Sequence, residues 1–142
     1  METKQYLMQI SRLDRKINNK LSEIARYREL AQSISAVENK ERVQTSPDFD
    51  KIGGSISKLD EMERKLDKMI DEYVEKKTKI IEQIDKMDDE IHYQILFSRY
   101  IEKKTFEKIA TEINYSFRQT LRHHGMALQE FEKKYGEEYK MS

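Results

Sequence analysis

Four side chains that can hydrogen-bond to DNA bases lie close together in the C-terminal part of the sequence: Arg118, Gln119, Arg122 and His123. An arginine guanidinium can donate two hydrogen bonds to guanine, and a glutamine amide can pair with adenine. Arg118 and Arg122 are four residues apart, which places them on one face if the segment is a helix. A solvated helix face is the alternative for each residue taken alone. Taken together, the four are expected to read bases.

A second group of polar residues precedes them in the chain: Lys103, Lys104, Thr105 and Lys108. They stand where a helix is predicted to begin, and Thr105 is a suitable N-cap for that helix. Lysine and hydroxyl groups that contact phosphate hold a protein on DNA without reading its sequence. We therefore expect these four residues to bind phosphate.

Two short helical segments and a tight turn must position these side chains. Apolar residues recur on one face of residues 106–113, where the small Ala110 lets a second helix cross closely. Asn114 tolerates the left-handed backbone of a tight turn, and Ser116 is a good N-cap for a helix over residues 117–135. A short helix, a three-residue turn and a longer helix form the helix-turn-helix plan.

A third helix, over about residues 89–102, is predicted to complete this small domain. Asp88 and Asp89 can cap its start, and it breaks the register of the preceding sequence. The predicted helix-turn-helix domain therefore covers residues 88–135. Gly136 is expected to end the last helix, leaving residues 136–142 as a loose tail.

Residues 1–87 have the pattern of two long amphipathic helices. Apolar residues are spaced by alternating steps of three and four over residues 3–36 and again from about residue 55, and a connector of about residues 37–55 contains the only proline and the pair Gly53–Gly54. Two such helices are expected to fold back as an antiparallel coiled-coil hairpin. The predicted fold is therefore all-α: a long hairpin followed by a small helix-turn-helix domain.

Composition narrows the function. The chain contains no cysteine, which excludes disulfides and thiolate metal sites, and its formal net charge is zero. The sequence has no apolar run long enough to cross a membrane, and it has no signal-peptide pattern. A cytoplasmic protein is therefore expected. We predict no catalytic residues, no cofactor and no metal site. The adjacent pair His123–His124 is a poor metal site because neighbouring helical side chains diverge by about 100°.

The segment RYIEKKTFEKIATEINYSFRQTLRHHGMALQEFEK resembles region four of sigma factors. The whole chain is in addition similar to a family of small phage proteins of Gram-positive hosts. The residues that carry this second resemblance are 6–21, with the pattern YL.QI.RLDRKINNKL, the connector 41–46, with the pattern ERVQ(T/S)S, and 99–128. Asn114 stands where the sigma pattern has glycine, and Thr120 and His123 occupy positions that are usually apolar.

The resemblance implies a sigma-like regulator of phage or prophage transcription, without catalytic activity, that binds double-stranded DNA. The hairpin would supply homodimerisation or a grip on host RNA polymerase. The rival interpretation is an adaptor that binds RNA polymerase and never reads DNA. The sigma pattern places Phe117 and Leu121 on the DNA side with the two arginines. Either these apolar residues contact thymine methyl groups, or the helix is rotated so that they pack inward and His123 faces DNA.

Overall fold

A computed structural model describes residues 1–40 and 49–141, and every regular element in these ranges is helical. The elements are α1 (Thr3–Leu7), α2 (Gln9–Lys40), α3 (Phe49–Asp85), α4 (Glu90–Leu96), a π-helical turn (Phe97–Ile101), α5 (Phe106–Ile113) and α6 (Phe117–Tyr139). The all-α prediction is confirmed at this level. None of the helices in these ranges is both long enough and apolar enough to cross a membrane.

The chain divides into two compact units. The first consists of Met1–Asp14 and Tyr73–Ser142, and the second of Arg15–Glu72. This division differs from the predicted boundary at residue 88. The end of α3 and the first residues of the chain pack with the C-terminal helices, which sequence periodicity alone does not reveal.

Helix α6 is the central element of the first unit, where it packs against α1, α4 and α5. The core of this unit is built from side chains that are almost fully buried: Leu7, Ile10, Ile80, Ile84, Met87, Leu96, Tyr100, Ala127, Phe131 and Tyr139. Phe131 has no exposed surface and lies among the rings of Tyr6, Tyr135 and Tyr139. Burial of these aromatic and aliphatic groups is the main stabilising contribution to the unit.

The predicted end of the last helix at Gly136 is wrong. Helix α6 continues through Gly136, which is buried, to Tyr139. The Tyr139 ring stacks on Tyr6 with centroids 4.2 Å apart, and its hydroxyl is 2.6 Å from Thr3 Oγ1. The Met1 amino group also donates to the Lys140 carbonyl oxygen, at 3.1 Å. Packing against the first helix therefore keeps residues 137–139 helical, because it outweighs the roughly 1 kcal/mol that a glycine costs within a helix.

The connector is also shorter than the predicted residues 37–55. Residues 37–40 belong to α2, and residues 49–55, including Gly53–Gly54, belong to α3. The predicted connector residues 41–48, with the family-like segment 41–46, lie outside the described residues. An added Cβ at Gly54 would meet no atom within 4 Å, so this glycine is not required there by close packing. The residues that follow Gly53–Gly54 favour a helix, and α3 therefore extends through both glycines.

In the second unit, α2 and α3 contribute a narrow strip of buried apolar side chains: Ile17, Ile24, Met62 and Leu66. Arg28 of α2 forms an ion pair with Glu63 of α3. Ile56 of α3 is exposed. The apolar residues of α2 and α3 are thus only partly buried within this unit.

The third predicted helix, 89–102, is divided into α4 and the π-helical turn. Its start is confirmed: Asp89 is the N-cap, and its carboxylate accepts from the backbone N–H of His92 at 3.0 Å. At its end, Lys103 has a left-handed backbone with φ of 59°, and its neighbour Lys104 donates its N–H to the Ser98 carbonyl at 3.0 Å. The chain turns here and leads into α5.

Candidate nucleic-acid interface

Local sequence signals position α5 and α6. Thr105 caps α5 by accepting from the Lys108 N–H at 3.2 Å. Asn114 ends α5 in the left-handed conformation, with φ of 60° and ψ of 38°. The Tyr115 N–H then donates to the Ala110 carbonyl at 3.0 Å, and Ser116 caps α6. The predicted caps at Thr105 and Ser116 and the left-handed turn at Asn114 are confirmed.

Two buried polar side chains show how α6 is rotated about its axis. Thr120 has no exposed surface, and its hydroxyl donates to the Ser116 carbonyl at 2.8 Å. His124, one helical turn later, is buried with its Nε2 2.8 Å from the Tyr100 hydroxyl and its ring edge-on to Phe106. Thr120 and His124 therefore face the interior together with Ala127 and Phe131.

Burial changes the acid–base properties of this hydrogen-bonded pair. Burial, with smaller contributions from the positive charges of Lys4 and Arg99, lowers the pKa of His124 to about 4. Burial also raises the pKa of Tyr100 to about 12. Both groups are therefore neutral at pH 7, and their hydrogen bond fixes α6 without placing a charge in the core.

The rotation of α6 decides between the two settings predicted for its first turns. Phe117 is 46% exposed and Leu121 is 40% exposed, and Arg118 and Arg122 are exposed beside them. Within residues 1–40 and 49–141, neither arginine forms an ion pair with another side chain. The setting in which Phe117 and Leu121 pack inward is therefore wrong. Thr120 and His124 occupy the inward positions instead.

Gln119 and His123 are placed differently from the two arginines. The side-chain oxygen of Gln119 accepts from the Ser116 N–H at 3.0 Å, while the Gln119 N–H donates to Ser116 Oγ at 3.0 Å. This reciprocal capping box uses the Gln119 oxygen and leaves its amide NH₂ at an exposed position. His123 is half-buried, with its ring edge-on to Tyr115 at 5.1 Å between centroids. Base reading by either residue stays a prediction.

The four residues expected to bind phosphate surround the start of α5. Lys103 pairs with Asp14, and Lys104 pairs with Glu112 at 3.0 Å and Glu102 at 3.4 Å. Hydrogen bonding to Glu112 raises the pKa of Lys104, which keeps this lysine charged. Ion pairs at the protein surface stabilise the fold little, so a phosphate group can replace the carboxylate at little cost.

Thr105 and Lys108 differ from these two lysines. The Thr105 hydroxyl accepts the N-cap hydrogen bond but keeps its own proton available for donation. Lys108 is exposed, and in the part of the chain that the structure describes it has no carboxylate partner. Lys108 can therefore bind phosphate without first giving up an ion pair with a carboxylate, unlike Lys103 and Lys104.

Three residues that the sequence pattern does not single out hold these candidates in place. Asp14 and Glu112 pair with the lysines, and Arg99 lies over the Phe106 ring at 4.2 Å and donates to the Lys104 carbonyl at 3.1 Å. The spacing of Lys104 and Glu112 along the chain gives no helical signal because the start of α5 separates them. These pairings arise only when the helices pack.

A histidine-rich contact lies beside the same helices without forming a metal site. His92 Nδ1 is 2.9 Å from Glu130 Oε2, and the His92 ring is 5.9 Å from that of His123. His124 belongs to the separate contact with Tyr100. Among the residues that the structure describes, no group of three or more His, Cys, Asp or Glu side chains could hold a metal ion.

Comparison with known proteins gives no assignment. No protein-family model, no curated protein and no solved structure matches this chain.

Proposed function

We propose that this protein is a sequence-specific, non-catalytic DNA-binding transcription regulator of phage or prophage type, with a C-terminal domain that acts like region four of sigma factors. In this proposal α5, the Asn114 turn and α6 are a helix-turn-helix. Helix α6 enters the major groove with its N-terminal residues on base edges, and α5 crosses the sugar–phosphate backbone. The regulatory role in this proposal is based on the sequence resemblance to region four of sigma factors and to the small phage proteins.

The main support for the proposal is the difference between buried and exposed side chains over the first two turns of α6. Thr120 and His124 are buried, whereas Arg118 and Arg122 are exposed on the opposite side and free of carboxylates in the described ranges. Exposed arginines on the first turns of a helix can reach guanine O6 and N7 with two hydrogen bonds each.

Arg118 and Arg122 are the principal base readers in this proposal. Gln119 can contribute through its amide NH₂ while its oxygen stays in the cap. His123 stays a candidate base reader, and its ring also packs on Tyr115 in the turn before α6. Lys108 binds phosphate directly, and Lys103 and Lys104 exchange carboxylate partners for phosphate as DNA approaches.

The N-terminal helices are proposed to form an antiparallel coiled-coil hairpin. Within the second unit this is supported by the Arg28–Glu63 ion pair and by the burial of Ile24 and Leu66. The exposed Ile56 and Leu21 show that the apolar surface of this unit is incompletely covered by α2 and α3. Homodimerisation or contact with host RNA polymerase would cover this surface.

The test is DNA binding by the purified protein. Sequences selected from a randomised duplex pool should share a motif, and binding should weaken steeply as salt increases. The double variant Arg118→Ala/Arg122→Ala should lose most of its preference for the selected motif, since each bidentate contact contributes roughly 1–3 kcal/mol of discrimination. Lys108→Ala is the matched control: it should weaken binding to all sequences alike and reduce the salt slope by about 1.

If the arginine double variant keeps the sequence preference of the parent protein, the assignment of the base readers is wrong. If the parent selects no motif at all, sequence-specific binding itself is wrong.

A second candidate function is an adaptor that binds RNA polymerase without reading DNA. The observation that favours it is the exposure of Phe117 and Leu121, because aromatic and aliphatic side chains are common at the centre of protein interfaces. The formal net charge of zero also lowers the general affinity for DNA. Copurification with RNA polymerase, combined with no selected DNA motif, would select this function.

A further inference from the structure

Two large apolar side chains, Phe117 and Leu121, lie partly exposed on the first turns of α6 and outside the buried core cluster. They are 46% and 40% exposed. Neither belongs to the apolar cluster that fills the first unit, whose inward positions on α6 are taken by residues such as Ala127 and Phe131. Exposing a phenylalanine does not stabilise the fold, so a role in contact with another molecule accounts for these side chains better than packing does.

Their neighbours on the helix are positively charged. Phe117 and Leu121 are four residues apart, as are Arg118 and Arg122, so an apolar row and a cationic row run side by side along the exposed face. The N-terminal end of a helix adds a partial positive charge to this surface. A partner for this face must therefore combine negative charge with small apolar groups.

The major groove of DNA has this combination. Its phosphates and guanine acceptors are complementary to the arginines, and the 5-methyl group of thymine is the only apolar group that the base edges present there. A flat protein partner could cover Phe117 and Leu121, but it would also have to supply carboxylates for both arginines, which have none in the described part of the chain. The paired rows thus favour DNA as the occupant.

We propose that Phe117 and Leu121 read thymine by contact with its 5-methyl group, next to the bases read by Arg118 and Arg122. This inference rests on the proposed function and deepens it. The two rows are adjacent on one helix, so the target site contains thymine close to guanine. Phe117 and Leu121 are then specificity-determining residues.

The experiment replaces thymine by uracil, which removes only the methyl group and keeps every hydrogen-bonding atom of the base. A duplex selected by the parent protein is resynthesised with deoxyuridine at one thymine position at a time, and its dissociation constant is measured by fluorescence anisotropy. At one or more positions we expect binding to weaken about fourfold, the effect of one buried methyl-sized group. The parent protein suffices for this measurement, so it does not depend on the folding of any variant.

Single variants then identify the side chain responsible. Phe117→Ala or Leu121→Ala should bind the thymine and uracil duplexes equally well at the position that each residue reads. The matched control is Met126→Ala. Met126 is a comparably exposed apolar residue of the same helix, but it lies nine residues after Phe117 and therefore on the opposite side. This control should keep the full fourfold difference.

The outcomes separate this inference from the function on which it rests. If the parent selects a motif but tolerates uracil at every position, the methyl contact is wrong while DNA binding stands. If the methyl effect persists undiminished in both Phe117→Ala and Leu121→Ala, these two residues are not the readers. If no motif is selected and the protein instead binds RNA polymerase through Phe117 and Leu121, both the inference and the proposed function are overturned.

Discussion

The two ends of helix α6 share one secondary structure and have opposite environments. At the first end, residues 117–122, Thr120 is buried while Phe117, Arg118, Leu121 and Arg122 are exposed. At the other end, residues 127–139, Phe131 and Tyr139 are buried among rings from α1 and α6 itself. We refer to these segments as the exposed end and the anchored end.

The difference shows how one helix can serve stability and contact with a partner at the same time. The anchored end buries large aromatic groups, which contribute most to the free energy of folding. The exposed end is held by a cap and by two buried polar side chains, so its remaining side chains are free to face solvent. Substitutions at the anchored end should therefore lower the stability of the protein, whereas substitutions at the exposed end should change its binding to a partner.

The largest expected effect is a loss of stability at the anchored end, seen when phenylalanine is replaced by alanine once at each end of α6. Phe131→Ala should lower the free energy of unfolding by about 3–5 kcal/mol, because it removes a fully buried aromatic ring. Phe117→Ala should have a much smaller effect, about 1 kcal/mol or less, since that residue is 46% exposed and lies outside the buried core cluster. Chemical denaturation followed by circular dichroism measures both. Equal losses for the two variants would contradict the separation of the two ends.

A smaller effect should appear as a dependence of stability on pH. It comes from His124, which is buried between the two ends of α6. Burial lowers the pKa of His124 to about 4 from an ordinary value of 6.5, so the unfolded chain binds more protons than the folded chain between these values. The contribution of this residue to stability is therefore fully present above about pH 6.5 and is lost as pH falls towards 4. The melting temperature measured across this range should decrease accordingly.

The control for this prediction is His124→Gln, which can still hydrogen-bond to the Tyr100 hydroxyl but does not titrate. Its melting temperature should depend less on pH between 6.5 and 4 than that of the parent protein. Identical pH profiles for the two proteins would show that His124 is not the group responsible.

The turn before the exposed end should be sensitive to the residue at position 114. Asn114 has φ of 60°, a conformation that costs a residue with an ordinary Cβ roughly 1–2 kcal/mol. Asn114→Ala should therefore destabilise the protein by about 1 kcal/mol, whereas Asn114→Gly should be tolerated because glycine adopts this conformation without strain. Thermal unfolding of both variants tests the prediction, and the opposite order of stability would argue against a left-handed turn.

The smallest expected effect concerns the ion pair of Lys104 beside the exposed end. Glu112→Gln should leave the melting temperature nearly unchanged, because the pair is solvent-accessible. It should strengthen DNA binding at low salt, because Lys104 loses its nearer carboxylate and keeps only the pair with Glu102 at 3.4 Å. Glu107→Gln is the matched control, since it removes the same charge from an exposed position of α5 without releasing Lys104. Equal gains in affinity for both variants would exclude a specific role for Lys104.

Local chemistry made several parts of the fold predictable. Asp89, Thr105 and Ser116 cap the helices where the sequence places them, and Asn114 makes the predicted turn. A cap or a turn depends on a few neighbouring residues, so the signal is complete within a short segment. The partner Gln119 in the capping box of α6 belongs to the same kind of signal, because it stands three residues after Ser116.

Predictions based on glycine were less successful. Gly136 and the pair Gly53–Gly54 lie within helices rather than at their ends. Glycine weakens a helix by only about 1 kcal/mol, and contacts made by residues further along can outweigh that cost. Tyr139 makes such contacts with Thr3 and Tyr6, which are more than 130 residues away in the chain.

Periodicity and capping act over a few residues, so the helical character of the protein, the starts of α5 and α6 and the left-handed turn between them are predictable from local sequence. The side of α6 that faces outward depends instead on how the helices pack. Thr120 and His124 are polar, so the apolar pattern of α6 alone does not reveal their burial. The contact of His124 with Tyr100 helps to fix the rotation, and Phe117 and Leu121 stay outside the core. That choice depends on side chains brought together from distant parts of the chain, which a local pattern cannot specify.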